Sequence, residues 1–431
     1  REIALAHALC PYYLQQEMAR WVDVVVGDLN HYFDRHALLH GLSQQRDWRV
    51  SVLADEAHNL VPRSRAMYSA DFGQAECGAV RAHLPTHLRR RLDDLLEAWQ
   101  ALIDALPQDT RWQILPAIPE DWLKALARLN SGIGEHLQDH PAQAIGPMLN
   151  FYFRSLSFAG LAEALDAHSL CELSVDEARR AMLNLRNVVP APFLAERLRA
   201  LDSLVMFSAT LHPRDFDQQL LGLPEQARDV EVPSPFDPRH LQVHVHPVST
   251  RWTQREATLD SLVQAMATHY ARRPGNYLAF FSSFDYLERA MSRLQRLHPQ
   301  LPCWAQTPGM AESERQAFLD RLEPQGSGIA FAVLGGAFSE GVDLPGTRLI
   351  GAFIATLGYP QVDDTTQAVR DRLEQLFPGR GFEYTFVVPG LQKVVQAAGR
   401  VIRSPDDKGS LVLLDERYRS PQIRRRLPKA W

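Results

Sequence analysis

Residues 50–58 read Val50-Ser-Val-Leu-Ala-Asp-Glu-Ala-His58, a short apolar run that ends in two adjacent carboxylates. The apolar run predicts a buried strand, and the acids fall at its carboxyl end. Asp55 is placed there to hold Mg²⁺ through water, because that ion takes few carboxylates and keeps several waters of its own. Glu56 is placed to orient and deprotonate an attacking water. His58 follows at a spacing that lets it relay the state of a nucleotide to neighbouring segments. The same residues are equally read as a solvated strand-to-helix turn. None of the 24 glycines is followed by lysine, so no Gly-x-x-x-x-Gly-Lys-Ser/Thr phosphate loop accompanies these acids.

A length of 431 residues suggests two or three domains, and 45% apolar with 23% charged residues is enough to bury sizeable cores. The net charge of −5 excludes a uniformly basic binder but leaves room for a local basic groove. Cys10, Cys77, Cys171 and Cys303 are widely spaced, with no Cys-x-x-Cys pair. That is neither a disulfide framework nor a complete zinc site, and it fits a reducing, cytoplasmic setting. No apolar run approaches the roughly 20 residues of a membrane span, and no signal peptide is visible. The chain opens on Arg1 inside a helical pattern, so a fragment or processed piece is expected.

Three textures follow one another. Residues 1–65 hold short β-rich runs, Val22-Asp-Val-Val-Val26 and 50–53, as in a parallel sheet covered by helices. From about 69 to 150 the pattern is purely helical. Leu88, Leu92, Leu95, Leu96, Trp99, Leu102, Ile103 and Leu106 form one stripe, and Pro119-Glu-Asp-Trp122 opens the next helix. Strand texture returns at 203–207 and then at 277–281, 329–334, 349–354 and 411–414. Helical patterns at 286–297 and 312–322 lie between these runs, which implies a second α/β sheet domain.

Three more islands carry chemistry. Ser208-Ala-Thr210 ends a strand, and its hydroxyls can bond a carboxylate or His58; alone it is a commonplace turn. The loop from Gly335 to Gly346, Gly-Gly-Ala-Phe-Ser-Glu-Gly-Val-Asp-Leu-Pro-Gly, also follows a strand. Its glycines allow close approach to a phosphate or sugar, and Glu340 and Asp343 add acceptors, although a loop closing a βα unit reads the same way. In Gln396-Ala-Ala-Gly-Arg-Val-Ile-Arg403, a helix would put Gln396, Gly399, Arg400 and Arg403 on one face. Two arginines and a glutamine there suit a γ-phosphate, against the plainer reading of a basic surface helix.

In this order the islands resemble motifs II, III, V and VI of superfamily 2 helicases. Cys10-Pro-Tyr-Tyr, the 22–32 segment, Gly275-Asn-Tyr-Leu-Ala-Phe-Phe-Ser-Ser-Phe284 and the ending from Leu413 to Trp431 narrow the likeness to the iron–sulfur branch, the XPD/Rad3 and bacterial DinG-like helicases. The resemblance covers almost the whole chain and is weakest in the helical segment. It implies two RecA-like motor domains, the first incomplete, with a helical Arch-like insertion. The expected divisions are 1–65 for the iron–sulfur and first motor segment, 66–150 for the insertion, 151–213 for the return to the first motor and 214–431 for the second motor.

The same resemblance implies ATP and Mg²⁺ at Asp55 and Glu56, and γ-phosphate contacts from Arg400 and Arg403 beside Gln396 and Gly399. It implies a nucleotide and DNA coupling loop at Glu340, Gly341 and Asp343, with Ser208 and Thr210 as coupling hydroxyls. Cys10 would be one of four ligands of a [4Fe-4S] cluster, the other three and the phosphate loop lying upstream of Arg1. Two motor domains closing on ATP would drive 5′-to-3′ travel on single-stranded DNA and unwinding of forked or duplex DNA in repair or replication. No protein partner is named by any residue, and no ATPase is expected of these residues alone. The competing readings are a nucleic-acid- or partner-binding fragment without ATP turnover, and a DNA-stimulated translocase or nuclease subunit that does not unwind. Of these, the nuclease loses ground because no Asp…Glu-x-Lys cluster stands out.

Overall fold

Strand β1 (Ser51–Ala54) forms where the apolar run lies and pairs in parallel with the strand at Ser203–Met206, in register Ser51↔Ser203 to Ala54↔Met206. In the computed structural model, which describes residues 2–107, 109–339 and 342–431, this pair belongs to the first of two units. The first unit takes in the chain up to 211 together with 217–227 and 367–376; the second holds 212–216, 228–366 and 377–431.

The segment expected to be purely helical also carries strands. β2 (Ala70–Gly73) and β3 (Trp112–Leu115) flank an antiparallel hairpin of β4 (Ser169–Val175) and β5 (Ala181–Asn187), in the order β2-β5-β4-β3. Four-residue strands are too short to show a period of two, and their partners lie far away in sequence. The boundary expected at 150 falls inside the helix Gly146–Ala162. The Ser203–Met206 strand, the sixth in chain order, is β6.

The leucine stripe does form a helix, Arg89–Asp104, which buries Leu92, Leu95, Trp99, Leu102 and Ile103. Pro119 then caps the helix Glu120–Asp139, with Glu120 and Asp121 in its first turn, where acids complement the helix dipole. Trp99, Trp122, Phe72 and Phe158 meet in a cluster with ring centroids 5.0–6.0 Å apart, edge-to-face except for the tilted Phe72–Phe158 pair. All four are essentially excluded from solvent, each contributing about 1.5–3 kcal/mol of burial.

Val22-Asp-Val-Val-Val26 joins no sheet among the described residues. Its valines are exposed, Val26 at 95%. β-branched residues favour extended backbone, but a strand exists only with a partner to complete its ladder.

The second unit is a six-stranded, wholly parallel sheet. Its strands are β7 (Leu241–His246), β8 (Asn276–Phe281), β9 (Cys303–Ala305), β10 (Gly328–Val333), β11 (Gly351–Ile354) and β12 (Gly409–Leu414), in the order β7-β12-β11-β8-β10-β9. Parallel strands covered on both faces read as unbroken apolar runs, and the pleat divides them. Tyr277, Ala279 and Phe281 enter the core under helices Arg255–Arg272 and Phe284–Leu297. Leu278 and Phe280 enter the opposite core, with Leu391, Val394 and Ala397 of helix Val388–Ala398. β10 and β12 split in the same way. Every strand expected from 203 onward is present; β7 and β9 were missed, one interrupted by polar residues and the other only three residues long.

Candidate functional site

In the first unit, β1 and β6 deliver their carboxyl ends side by side, and the ladder runs one step further through Phe207 N–H donating to Ala54 O at 3.0 Å. Ala57 N–H then donates to Phe207 O at 3.2 Å, so the Asp-Glu turn is fastened to the Ser-Ala-Thr turn by backbone. Glu56 takes up a left-handed conformation with φ 46° and ψ 43°. For a non-glycine residue this costs about 1–3 kcal/mol and persists only where the surroundings over-determine it. The Asp55 Oδ1 atom accepts the Glu56 N–H at 2.7 Å, and Glu56 O accepts Asn59 N–H at 2.9 Å.

Side chains converge on one hydroxyl. The Ser208 Oγ lies 2.7 Å from His58 Nδ1, donates to Glu56 Oε2 at 3.4 Å and accepts Thr210 N–H at 3.2 Å. The His58 Nδ1 is itself 3.3 Å from Glu56 Oε2. His58 and Thr210 are buried, whereas Asp55 and Glu56 face solvent. The residues expected to act together in this unit are therefore brought together, with the acids on the open side.

Among the described residues no three His, Cys, Asp or Glu side chains gather around a metal position. An Mg²⁺ held through water by one strand-end carboxylate does not need such a cage. Exposed Asp55, with one oxygen fixed by backbone, fits that mode of binding. The four-thiolate set of an iron–sulfur cluster does not fit this chain's residues alone. Cys10 is exposed beside helix Pro11–Met18, but burial pushes the Cys77 and Cys171 thiols up to about 12, and Cys303 lies in β9 of the other unit.

In the second unit, the helix expected to carry Gln396 through Arg403 ends at Ala398. Gln396 is helical, but Gly399, Arg400 and Arg403 lie beyond the last turn. The stop has a tertiary cause. Val401 turns into the core, where the β-carbon of any residue replacing Gly409 would strike it, and the Asp407 carboxylate captures the chain that follows. Asp407 accepts N–H bonds from Arg403 and Ser404, both at 2.8 Å, and from Gly346 at 3.2 Å. Burial works against its ionisation, yet these backbone donors outweigh it and hold the carboxyl below its usual range.

Cations just past a helix carboxyl end also complement its dipole. Arg400 donates to Ser339 O and Val342 O, both at 3.2 Å, and Arg403 pairs with exposed Asp343 at 3.3 Å. The Gly-rich loop and the arginine segment therefore form one structure, with Asp343 inside it. The loop starts at Gly335, whose φ of 78° no side-chain-bearing residue adopts comfortably, and its N–H donates to buried Ser339 Oγ at 2.8 Å. Glu340 and Gly341 lie outside the described residues.

Sequence reasoning missed Ser339 and Asp407. Asp407 sits in Ser-Pro-Asp-Asp-Lys-Gly, which advertises a turn but not its target. It also missed the buried Asp415, which accepts from Thr250 Oγ1 and from Arg417 Nε and Nη2, the last two at 2.8 Å.

Residues 266–431 match the helicase C-terminal domain family. Across 96% of its length the chain is 22% identical to the ATP-dependent DNA helicase XPD of Sulfolobus acidocaldarius, covering 73% of that protein. It is 26% identical over 241 residues to the ATP-dependent DNA helicase DinG of Photobacterium profundum, covering 56% of this chain and 33% of the relative. Among solved structures, an XPD helicase superposes with a TM-score of 0.62 at 18% identity, covering 99% of this chain and 75% of the other. The Xpd4 structure from S. tokodaii gives 0.55 at 15% identity over 98% and 80%. The fold is thus α/β with RecA-like domains.

Proposed function

We propose that this chain, similar over 96% of its length to an XPD helicase, is the motor portion of an ATP-dependent DNA helicase of superfamily 2. Asp55 would hold Mg²⁺ through water, and Glu56 would orient and deprotonate the attacking water. Arg400 and Arg403, beside Gln396 and Gly399, would contact the γ-phosphate, and a bound Mg²⁺ would supply charge neutralisation there. Ser208, Thr210 and His58, with Glu340, Gly341 and Asp343 in the other unit, couple nucleotide state to DNA. The substrate is single-stranded DNA leading into a fork or duplex, travelled 5′ to 3′, in repair or replication. Of a [4Fe-4S] cluster this chain contributes Cys10 at most, and no part of the ATP chemistry depends on it.

The observation that carries the reading is the Ser208 hydroxyl, 2.7 Å from His58 and 3.4 Å from Glu56. It connects the water-activating acid to a second strand end, as coupling requires. The deciding experiment measures phosphate release and strand displacement by the native protein that contains these residues, with and without single-stranded DNA. DNA-stimulated release with displacement supports the helicase. Stimulated release without displacement supports a translocase. DNA binding without any ATP turnover supports a binding protein.

A further inference from the structure

All six strands of the second sheet are parallel, so their carboxyl ends share one edge, where ligands of open α/β sheets commonly bind. Four of those ends deliver polar and aromatic residues to a single network. After β7 come Thr250, Arg251 and Trp252; after β12, Asp415 and Arg417; after β11, Thr356 and Tyr359; after β8, Ser282. Fully buried Asp415 binds Thr250 and Arg417, and the Arg417 guanidinium lies 5.4 Å above the Tyr359 ring.

Arg255 is fixed from three sides. Its Nε donates to Thr250 O at 3.0 Å, its Nη2 donates to Ser282 Oγ at 2.7 Å, and its guanidinium rests 4.4 Å from the Tyr286 ring centroid. The same guanidinium lies over the Trp252 ring at 5.3 Å, yet Trp252 is 72% exposed. An indole backed by a pinned cation and otherwise open to water is arranged to stack. Its sequence neighbours Arg251, Thr253, Gln254 and Arg255 are polar, and Arg251, half exposed, pairs with Glu416 at 3.3 Å. Those are surroundings for a base and its phosphate; a protein hot spot would offer an apolar pocket instead.

We propose that Trp252 is a stacking platform for a nucleobase of single-stranded DNA at the carboxyl edge of the second sheet. The inference rests on the DNA reading above and adds a contact to it. Base stacking on an aromatic is tolerant of sequence and independent of salt, whereas phosphate contacts are strongly salt-dependent.

The test is fluorescence anisotropy of the native protein with a labelled oligothymidylate, comparing parent, Trp252→Ala and Trp252→Phe. The expected result is affinity weaker by about ten-fold or more in Trp252→Ala, largely restored in Trp252→Phe, with an unchanged salt slope. An abasic oligonucleotide should bind parent and Trp252→Ala equally. Affinity of Trp252→Ala within two-fold of a DNA-binding parent overturns the platform and leaves the DNA reading intact. No DNA binding by the parent overturns both. Loss of the Trp252 effect when MgATP is added would assign the indole to the free nucleotide instead and overturn the proposal.

Discussion

His58 and Ser208, 150 residues apart in the chain, place Nδ1 and Oγ 2.7 Å from each other across the ends of two parallel strands. The same hydroxyl reaches Glu56 and the Thr210 backbone, so one atom links both turns.

Glu56→Gln keeps the shape of the side chain and removes its basicity. ATP binding by the native protein should be retained while DNA-stimulated phosphate release falls by about 10²–10⁴-fold. Turnover near the parent level would remove Glu56 from the reaction.

Ser208→Ala leaves the turn but deletes the shared hydroxyl. A stability loss of only about 1 kcal/mol is expected, because a net hydrogen bond is worth little more. Strand displacement should drop further than ATP turnover. A proportional fall in both would mean that the hydroxyl serves structure alone.

Asp407→Ala takes the acceptor from three backbone N–H groups at once. We expect a loss of about 2–4 kcal/mol in urea unfolding, with ATP turnover falling as the Arg403 segment loosens. Its carboxyl is held low in the folded state, so this stabilisation is present above the ordinary carboxylate range and disappears as pH falls through the folded value. A variant as stable as the parent would show that water replaces the carboxylate without penalty.

His269 sets a second pH dependence. Burial, reinforced by positive charge from His244, His246, Arg272 and Arg273, lowers its imidazole to about 4, whereas unfolded histidine titrates near ~6.5. The native state therefore binds fewer protons between these values. Stability is complete above the upper one and declines as pH falls toward the lower. His269→Gln, which preserves a partner for the Ser410 hydroxyl 2.9 Å from the ring, should lessen that decline in unfolding midpoints measured at neutral and acid pH. Identical midpoints at every pH would refute the assignment.

The four inner strands of the second sheet were legible because each is a largely apolar run, and the runs at 277–281 and 411–414 locate β8 and β12 closely. The acid turn was legible because its partners follow strands of their own. Less visible was anything decided at a distance. The β2–β3 pairing with a hairpin at 169–187 has no local signature. The end of the Gln396 helix depends on Asp407, eleven positions further on, and on Gly409 meeting Val401. Arginine spacing alone predicted one continuous face, and tertiary contacts overrode it.

The placement of Arg403 outside the helix has a dynamic consequence. A guanidinium on a fraying helix end would have to be immobilised whenever it met a phosphate, losing backbone and rotamer freedom at that moment. Here Asp407 joins the Arg403 backbone to Gly346, ahead of β11, and to its own approach to β12. The arginine segment is anchored to the entry of two central strands, so its ordering entropy is lost during folding, and a phosphate meeting it would find a preorganised backbone.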